Sequence, residues 1–124
     1  MDDRWLLPDP AREAEFGHPS TRLAAYGTLR PGQPFHHMVD GLGGHWSAGV
    51  IRGTVGVRNG YPAFTWSPDG DLVPVQVLSS PELPAHWDRL DDFEAGYRRV
   101  WLEVEQPGGL VIASCYEALP RPPG

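Results

Sequence analysis

The apolar residues Leu83, Trp87 and Leu90 are spaced by four and three, and Glu94 follows four positions later. A helix over residues 81–94 therefore ends its buried stripe on a carboxylate. A carboxyl group facing a core is partly desolvated, which disfavours its charged form and raises its pKa toward the range useful for proton transfer. That makes Glu94 a candidate general base. The competing reading of the same spacing is a helix that frays before residue 94, leaving the side chain in water or paired with Arg98 or Arg99.

A second stretch, "YGTLRPG" from Tyr26 to Gly32, joins apolar residues to a glycine-containing loop. Glycine permits close backbone approach, and successive N–H groups left unpaired where a strand opens into a loop can cradle a carboxylate or a developing oxyanion. The alternative is an ordinary turn at a strand end. His36, His37 and His45 raise a metal reading, but adjacent histidines tend to diverge and zinc takes three protein ligands with supporting partners, so no metal is expected. Thr28 or Ser47 with a histidine and an aspartate could be drawn as a hydrolytic triad, yet no G-x-S-x-G elbow supports it. Cys115 alternates with apolar neighbours and reads as a small buried residue rather than a nucleophile.

The elements that must position these groups are mostly strands. With 15 Gly and 14 Pro in 124 residues, turns are frequent and long helices few. Residues 22–28 read as a first strand that closes at Gly27, followed by an irregular loop over 29–47. Asn59-Gly60 marks a type I′ hairpin between two strands. "LVPVQVL" reads as another strand in which Pro74 implies an edge or a bulge. "RRVWLEVEQ" and "LVIASCYEAL" form a last hairpin around "PGG". The helix over 81–94 carries Ser79 and Ser80 as N-cap candidates and Pro81 near its first turn.

Residues 1–19 form an N-terminal extension that either docks Trp5, Leu6 and Leu7 on the body or stays partly ordered. Residues 20–119 make one domain, and 120–124 a tail. A chain of 124 residues buries roughly two thirds of its unfolded surface, and a second domain has no room.

The formal net charge is -6, and all ten basic residues are arginine. No basic stripe offers itself to a phosphate backbone, so nucleic acid is not an expected partner. The absence of lysine excludes Schiff-base chemistry and a P-loop lysine. One cysteine permits no intrachain disulfide. Nothing approaches the roughly 18 consecutive apolar residues of a membrane span, and no leader is visible, so a soluble cytoplasmic protein without a membrane partner is expected. The sequence is silent on oligomeric state.

Two stretches together carry a resemblance. "YGTLRPGQPFHH" resembles the signature loop of the gamma-glutamylcyclotransferase-like superfamily, in particular its gamma-glutamylamine cyclotransferase, avirulence-induced-protein-like branch. "LDDFEAGYRRVWLEV" resembles that family's second signature, and "NGYPAF" its central hairpin, so the likeness covers residues 22–119. It implies an α+β fold, a small mixed β-barrel with one main helix and short flanking helical turns, acting without a metal or organic cofactor. It also implies a small-molecule gamma-glutamyl substrate that closes on itself, releasing 5-oxoproline and a free amine.

Carried across, the family's acid falls on Glu94 and its substrate-holding loop on Tyr26, Gly27, Thr28 and Leu29. Tyr97 and Tyr116 match further aromatic positions of the substrate site. The sequence departs from the family in two places. Val75-Gln76 stands where a Gly-Glu pair is common, and the spacer from Glu94 to Tyr97 is short. The competing class is a binding protein of the same fold that recognises a ligand without catalysis.

Overall fold

The computed structural model describes residues 5–119, with Trp5 described in its backbone only. The tail expected over 120–124 lies outside the described residues. Seven strands and one α-helix make up the regular structure. They are β1 (Trp5–Leu6), β2 (Arg22–Ala25), β3 (His45–Arg58), β4 (Tyr61–Trp66), β5 (Asp71–Ser79), α1 (Trp87–Phe93), β6 (Tyr97–Gln106) and β7 (Gly109–Ala118). Short 3-10 turns punctuate the connections, as the glycine and proline content implies.

The strands hydrogen-bond in the order β1-β6-β7-β2-β5-β3-β4, and β3 also returns to β6 through Val50 and Glu105. That return closes β6, β7, β2, β5 and β3 into a five-stranded barrel. It is mixed because β2 runs parallel to β7 at Leu23 and Ser114 while the other pairings are antiparallel. The long β3 pairs with β5 along its first part and with β4 along its second, so the β3–β4 hairpin extends past β5 and brings Phe64 into the barrel interior and the Trp66 N–H to Glu117. Gly49 lies where β3 crosses β6, and a Cβ there would sit 2.6 Å from Val104 Cγ1. Only a missing side chain lets the two strands meet.

The residues of β2 explain its central place. Ala24 packs inside the barrel with Ile51, Phe64, Val75, Leu102 and Cys115, while Leu23 and Ala25 face outward against Leu83, Trp87, Leu90 and Tyr116. A strand buried on both faces needs apolar residues at every position. Cys115 is fully buried, and burial pushes its thiol far above the ordinary value.

Asn59 and Gly60 both have positive φ, 53° and 82°, as the predicted hairpin turn requires. Pro74 sits in β5 opposite Val50, and β2 pairs with β5 only from Gln76 onward. At Pro74 the strand is therefore one-sided, so its lack of an N–H is tolerated. The N-terminal segment docks through Trp5 and Leu6 on Leu102 and Trp101, whereas Leu7 stays exposed.

Two boundaries differ from the sequence reading. The first strand ends at Ala25, not Gly27, because the chain bends from Tyr26 onward. The helix predicted over 81–94 is α-helical only over Trp87–Phe93, preceded by a 3-10 turn over Leu83–His86. Pro84 cannot donate, and the turn tightens onto bonds from Leu83 N–H to the Ser80 carbonyl and from Ala85 N–H to the Glu82 carbonyl. The N-cap position is Glu82 rather than Ser79 or Ser80: Ser80 Oγ accepts the Glu82 N–H at 3.1 Å just ahead of the turn, and Ser79 ends β5 opposite Arg22.

Candidate functional site

The end of β2, the start of β4, the end of α1, the start of β6 and the end of β7 surround a cavity of about 270 Å³. Its wall includes every residue that the family resemblance assigns to the site: Tyr26, Gly27, Thr28, Leu29, Glu94, Tyr97 and Tyr116. Phe35, Tyr61, Pro62 and Phe93 also line it. Of these last four the sequence offered only indirect signals, the "NGYPAF" hairpin and the aromatic before Glu94.

Glu94 reaches the cavity because α1 is anchored by its apolar stripe. Leu83, Trp87 and Leu90 are buried, each contributing on the order of 1.5–3 kcal/mol. The helix does stop before Glu94, yet the residue is not released to water. Its N–H still donates to the Leu90 carbonyl at 2.9 Å, and its carbonyl accepts the Tyr97 N–H at 2.9 Å. The short spacer is thus one tight turn that sets Tyr97 beside Glu94.

The arginines that could have neutralised Glu94 are engaged elsewhere. Arg98 pairs with Glu117 at 2.8 Å, and Arg99 with Asp91 at 3.0 Å. Burial alone pushes the Glu94 carboxyl up to about 7.

Of the four tyrosines that line the cavity, Tyr26, Tyr97 and Tyr116 have their hydroxyls committed. Tyr26 donates to the Tyr116 carbonyl at 2.7 Å and accepts the Phe64 N–H at 3.1 Å. Tyr97 donates to the Pro62 carbonyl at 2.7 Å, and Tyr116 donates to Asp91 at 2.7 Å. Burial raises all three phenols above their ordinary value. Phenols so held shape a wall and do not exchange protons near neutral pH, which leaves Glu94 as the titratable group suited to that task.

After β2 the loop turns through a bond from Arg30 N–H to the Gly27 carbonyl, and the Phe35 N–H returns to the Thr28 carbonyl at 2.9 Å. Among the described residues, no acceptor meets the N–H groups of Gly27, Thr28 or Leu29. Three successive donors therefore flank a cavity that also holds a protonatable carboxyl. Gly27 belongs there on size as well, since a Cβ would lie 3.3 Å from Pro62 Cγ.

The other candidates fall outside this wall. His36 places Nδ1 3.0 Å from the Leu29 carbonyl, His37 packs on Phe35, and His45 begins β3. Among the described residues no group of three or more His, Cys, Asp or Glu could hold a metal ion. Ser47 accepts from Gln106 at 2.9 Å on β3, and the cavity wall contains no histidine, so no hydrolytic triad is assembled there. Val75 packs in the barrel interior and Gln76 pairs with Ala25, neither lining the cavity. No described helix is long and apolar enough to cross a membrane.

The family described as Gamma-glutamyl cyclotransferase, AIG2-like matches residues 23–123. Among solved structures, the uncharacterized protein PH0828 from Pyrococcus horikoshii is 26% identical, with a TM-score of 0.59 over 84% of this chain and 82% of its own. YkqA from Bacillus subtilis is also 26% identical, with a TM-score of 0.66 over 79% of this chain and 35% of that longer chain. An aig2-like protein from Mus musculus, 23% identical with a TM-score of 0.60 over 83% of this chain and 80% of its own, shares the fold. No curated protein matches.

Proposed function

The chain belongs to the gamma-glutamyl cyclotransferase, AIG2-like family, and from that premise we propose that it cyclises a gamma-glutamyl amide, releasing 5-oxoproline and a free amine. The observation that supports this most is Glu94, a carboxyl raised to about 7 by burial, facing a cavity beside three N–H groups that meet no acceptor among the described residues.

The reaction needs few parts because the substrate carries its own nucleophile. Folding the glutamyl chain brings its α-amine to the γ-carbonyl carbon, a proximity effect worth on the order of 7–11 kcal/mol in well-oriented systems. Ionised Glu94 takes a proton from the attacking nitrogen as the ring C–N bond forms. It returns that proton to the departing nitrogen as the amide C–N bond breaks, so no water is consumed. The amides of Gly27, Thr28 and Leu29 supply donors for an anionic oxygen of the substrate. The committed hydroxyls of Tyr26, Tyr97 and Tyr116 keep the walls in place while this happens. No residue of the chain becomes covalently attached.

A binding protein without catalysis would draw on the departure at Val75-Gln76, but neither residue lines the cavity and the pair gives such a reading no support. The test is incubation with a panel of gamma-glutamyl amides, followed by detection of 5-oxoproline and of the freed amine in equal amounts. Free glutamate in place of 5-oxoproline would show hydrolysis, and no product from any amide would reject the proposal.

A further inference from the structure

We propose that Phe35, Tyr61 and Phe93 form the subsite for the departing amine, and that this amine is uncharged beyond its nitrogen and apolar, an aryl or branched alkyl group. The assignment rests on the cyclisation reading, because it divides one cavity into a glutamyl end and an amine end.

The three rings come from separate parts of the chain and meet over the cavity. Phe35 stands 5.1 Å from Phe93 in an edge-to-face arrangement and 5.8 Å from Tyr61. Tyr61 is 46% exposed and Phe93 38% exposed, so the cluster leaves apolar surface bare beside the opening. Exposed aromatics grouped at the edge of a cavity mark a ligand surface rather than a random surface residue.

Their placement is fixed by main-chain bonds. The Phe35 N–H is held by the Thr28 carbonyl at 2.9 Å, and the Pro62 carbonyl next to Tyr61 is held by the Tyr97 hydroxyl at 2.7 Å. Phe93 directly precedes Glu94 at the end of α1. A rigid apolar surface of this kind binds at little entropic cost.

Charge decides which amine fits. Among the described residues, the cavity wall contains no aspartate, arginine, lysine or histidine, and Glu94 is its only carboxyl. The glutamyl end of the substrate takes up Glu94 for proton transfer from its α-amine and the loop amides for an anionic oxygen. A distal ammonium or carboxylate on the amine would have no counter-charge on this wall. Rings packed edge to face satisfy one another's quadrupoles and present an apolar surface to the ligand.

The experiment compares gamma-glutamyl benzylamide, gamma-glutamyl methylamide and the gamma-glutamyl amide of the lysine ε-amine. Turnover is measured with the wild-type protein, and affinity by calorimetry with Glu94→Gln. The benzylamide is expected to exceed both others by about tenfold or more in kcat/KM and in affinity, the scale of burying one ring. Tyr61→Ser and Phe93→Ser, each checked for an intact melting transition, are expected to move the benzylamide-to-methylamide ratio toward one. Equal affinity for benzylamide and methylamide, a preference for the lysine amide, or a ratio that survives both substitutions overturns the subsite. Binding preference without 5-oxoproline from any amide would reject the cyclisation and retain the aromatic subsite.

Discussion

The Tyr26 hydroxyl donates to the main-chain carbonyl of Tyr116 at 2.7 Å, tying the loop after the first barrel strand to the last strand across 90 residues of sequence. The same oxygen accepts the Phe64 N–H at 3.1 Å, so one phenol bridges three segments around the cavity. Tyr26→Phe keeps the ring packed on Phe64, 5.4 Å away, but removes both bonds. A buried N–H and a carbonyl left without partners cost about 1–3 kcal/mol each. The melting temperature is expected to fall by about 8–23 °C. An unchanged melting curve would show that water replaces the hydroxyl and that the bridge is not structural.

Glu94→Gln separates chemistry from structure. The amide matches the carboxyl in size and keeps the main-chain bonds to Leu90 and Tyr97. Turnover of a gamma-glutamyl amide is expected to drop by about two or more orders of magnitude, the scale of losing a general base. Substrate affinity is expected to stay within about threefold, since the loop amides and the cavity wall remain. Equal turnover by the two proteins would remove Glu94 from the mechanism.

How much of this was legible in the sequence depends on how local each feature is. The Asn59-Gly60 turn and the stripe of Leu83, Trp87 and Leu90 are written in neighbouring residues, and the structure has both. Glu94 was visible as the stripe's last position, but its protonation depends on where Arg98 and Arg99 go. They pair with Glu117 and Asp91, partners that no local pattern points to. Closure of the barrel at Val50 and Glu105 joins positions 55 residues apart, and a periodicity argument carries no information about it. The convergence of Phe35, Tyr61 and Phe93 is equally non-local, so single aromatics scattered along the chain could not be told from ordinary surface residues. The α-helix is shorter than its apolar spacing implies because Pro84, which has no N–H to donate, keeps the first turn 3-10.

Gly27→Ala tests whether the floor of the cavity can yield. The added Cβ would press on Pro62 at 3.3 Å, and Pro62 is held from behind by the Tyr97 hydroxyl. The wall cannot retreat without losing that bond, so the methyl group occupies ligand space. KM is expected to rise by about tenfold while kcat changes by less than about threefold, the pattern of a lost ground-state contact. A variant with wild-type KM would show that the glutamyl group does not approach Gly27.

The raised pKa of Glu94 links activity to stability. Its carboxyl moves from an ordinary 4.5 to about 7 on folding, so the folded chain holds this proton more tightly than the unfolded one. The stability it permits is complete below about 4.5 and is lost as pH rises through about 7, because the ionised form is confined in a poorly hydrated cavity. Glu94→Gln carries no charge and escapes that loss. Urea melts of the two proteins are expected to agree near pH 4.5 and to diverge by about 1–3 kcal/mol in favour of the variant above pH 7, after allowance for screening by cavity water. Over the same interval wild-type kcat/KM is expected to climb about tenfold per pH unit and to flatten above about 7, as the base becomes ionised. A gap between the two proteins that stays constant from pH 4.5 to 8 would mean the carboxyl titrates as if in water, and the rise of kcat/KM would then need another group.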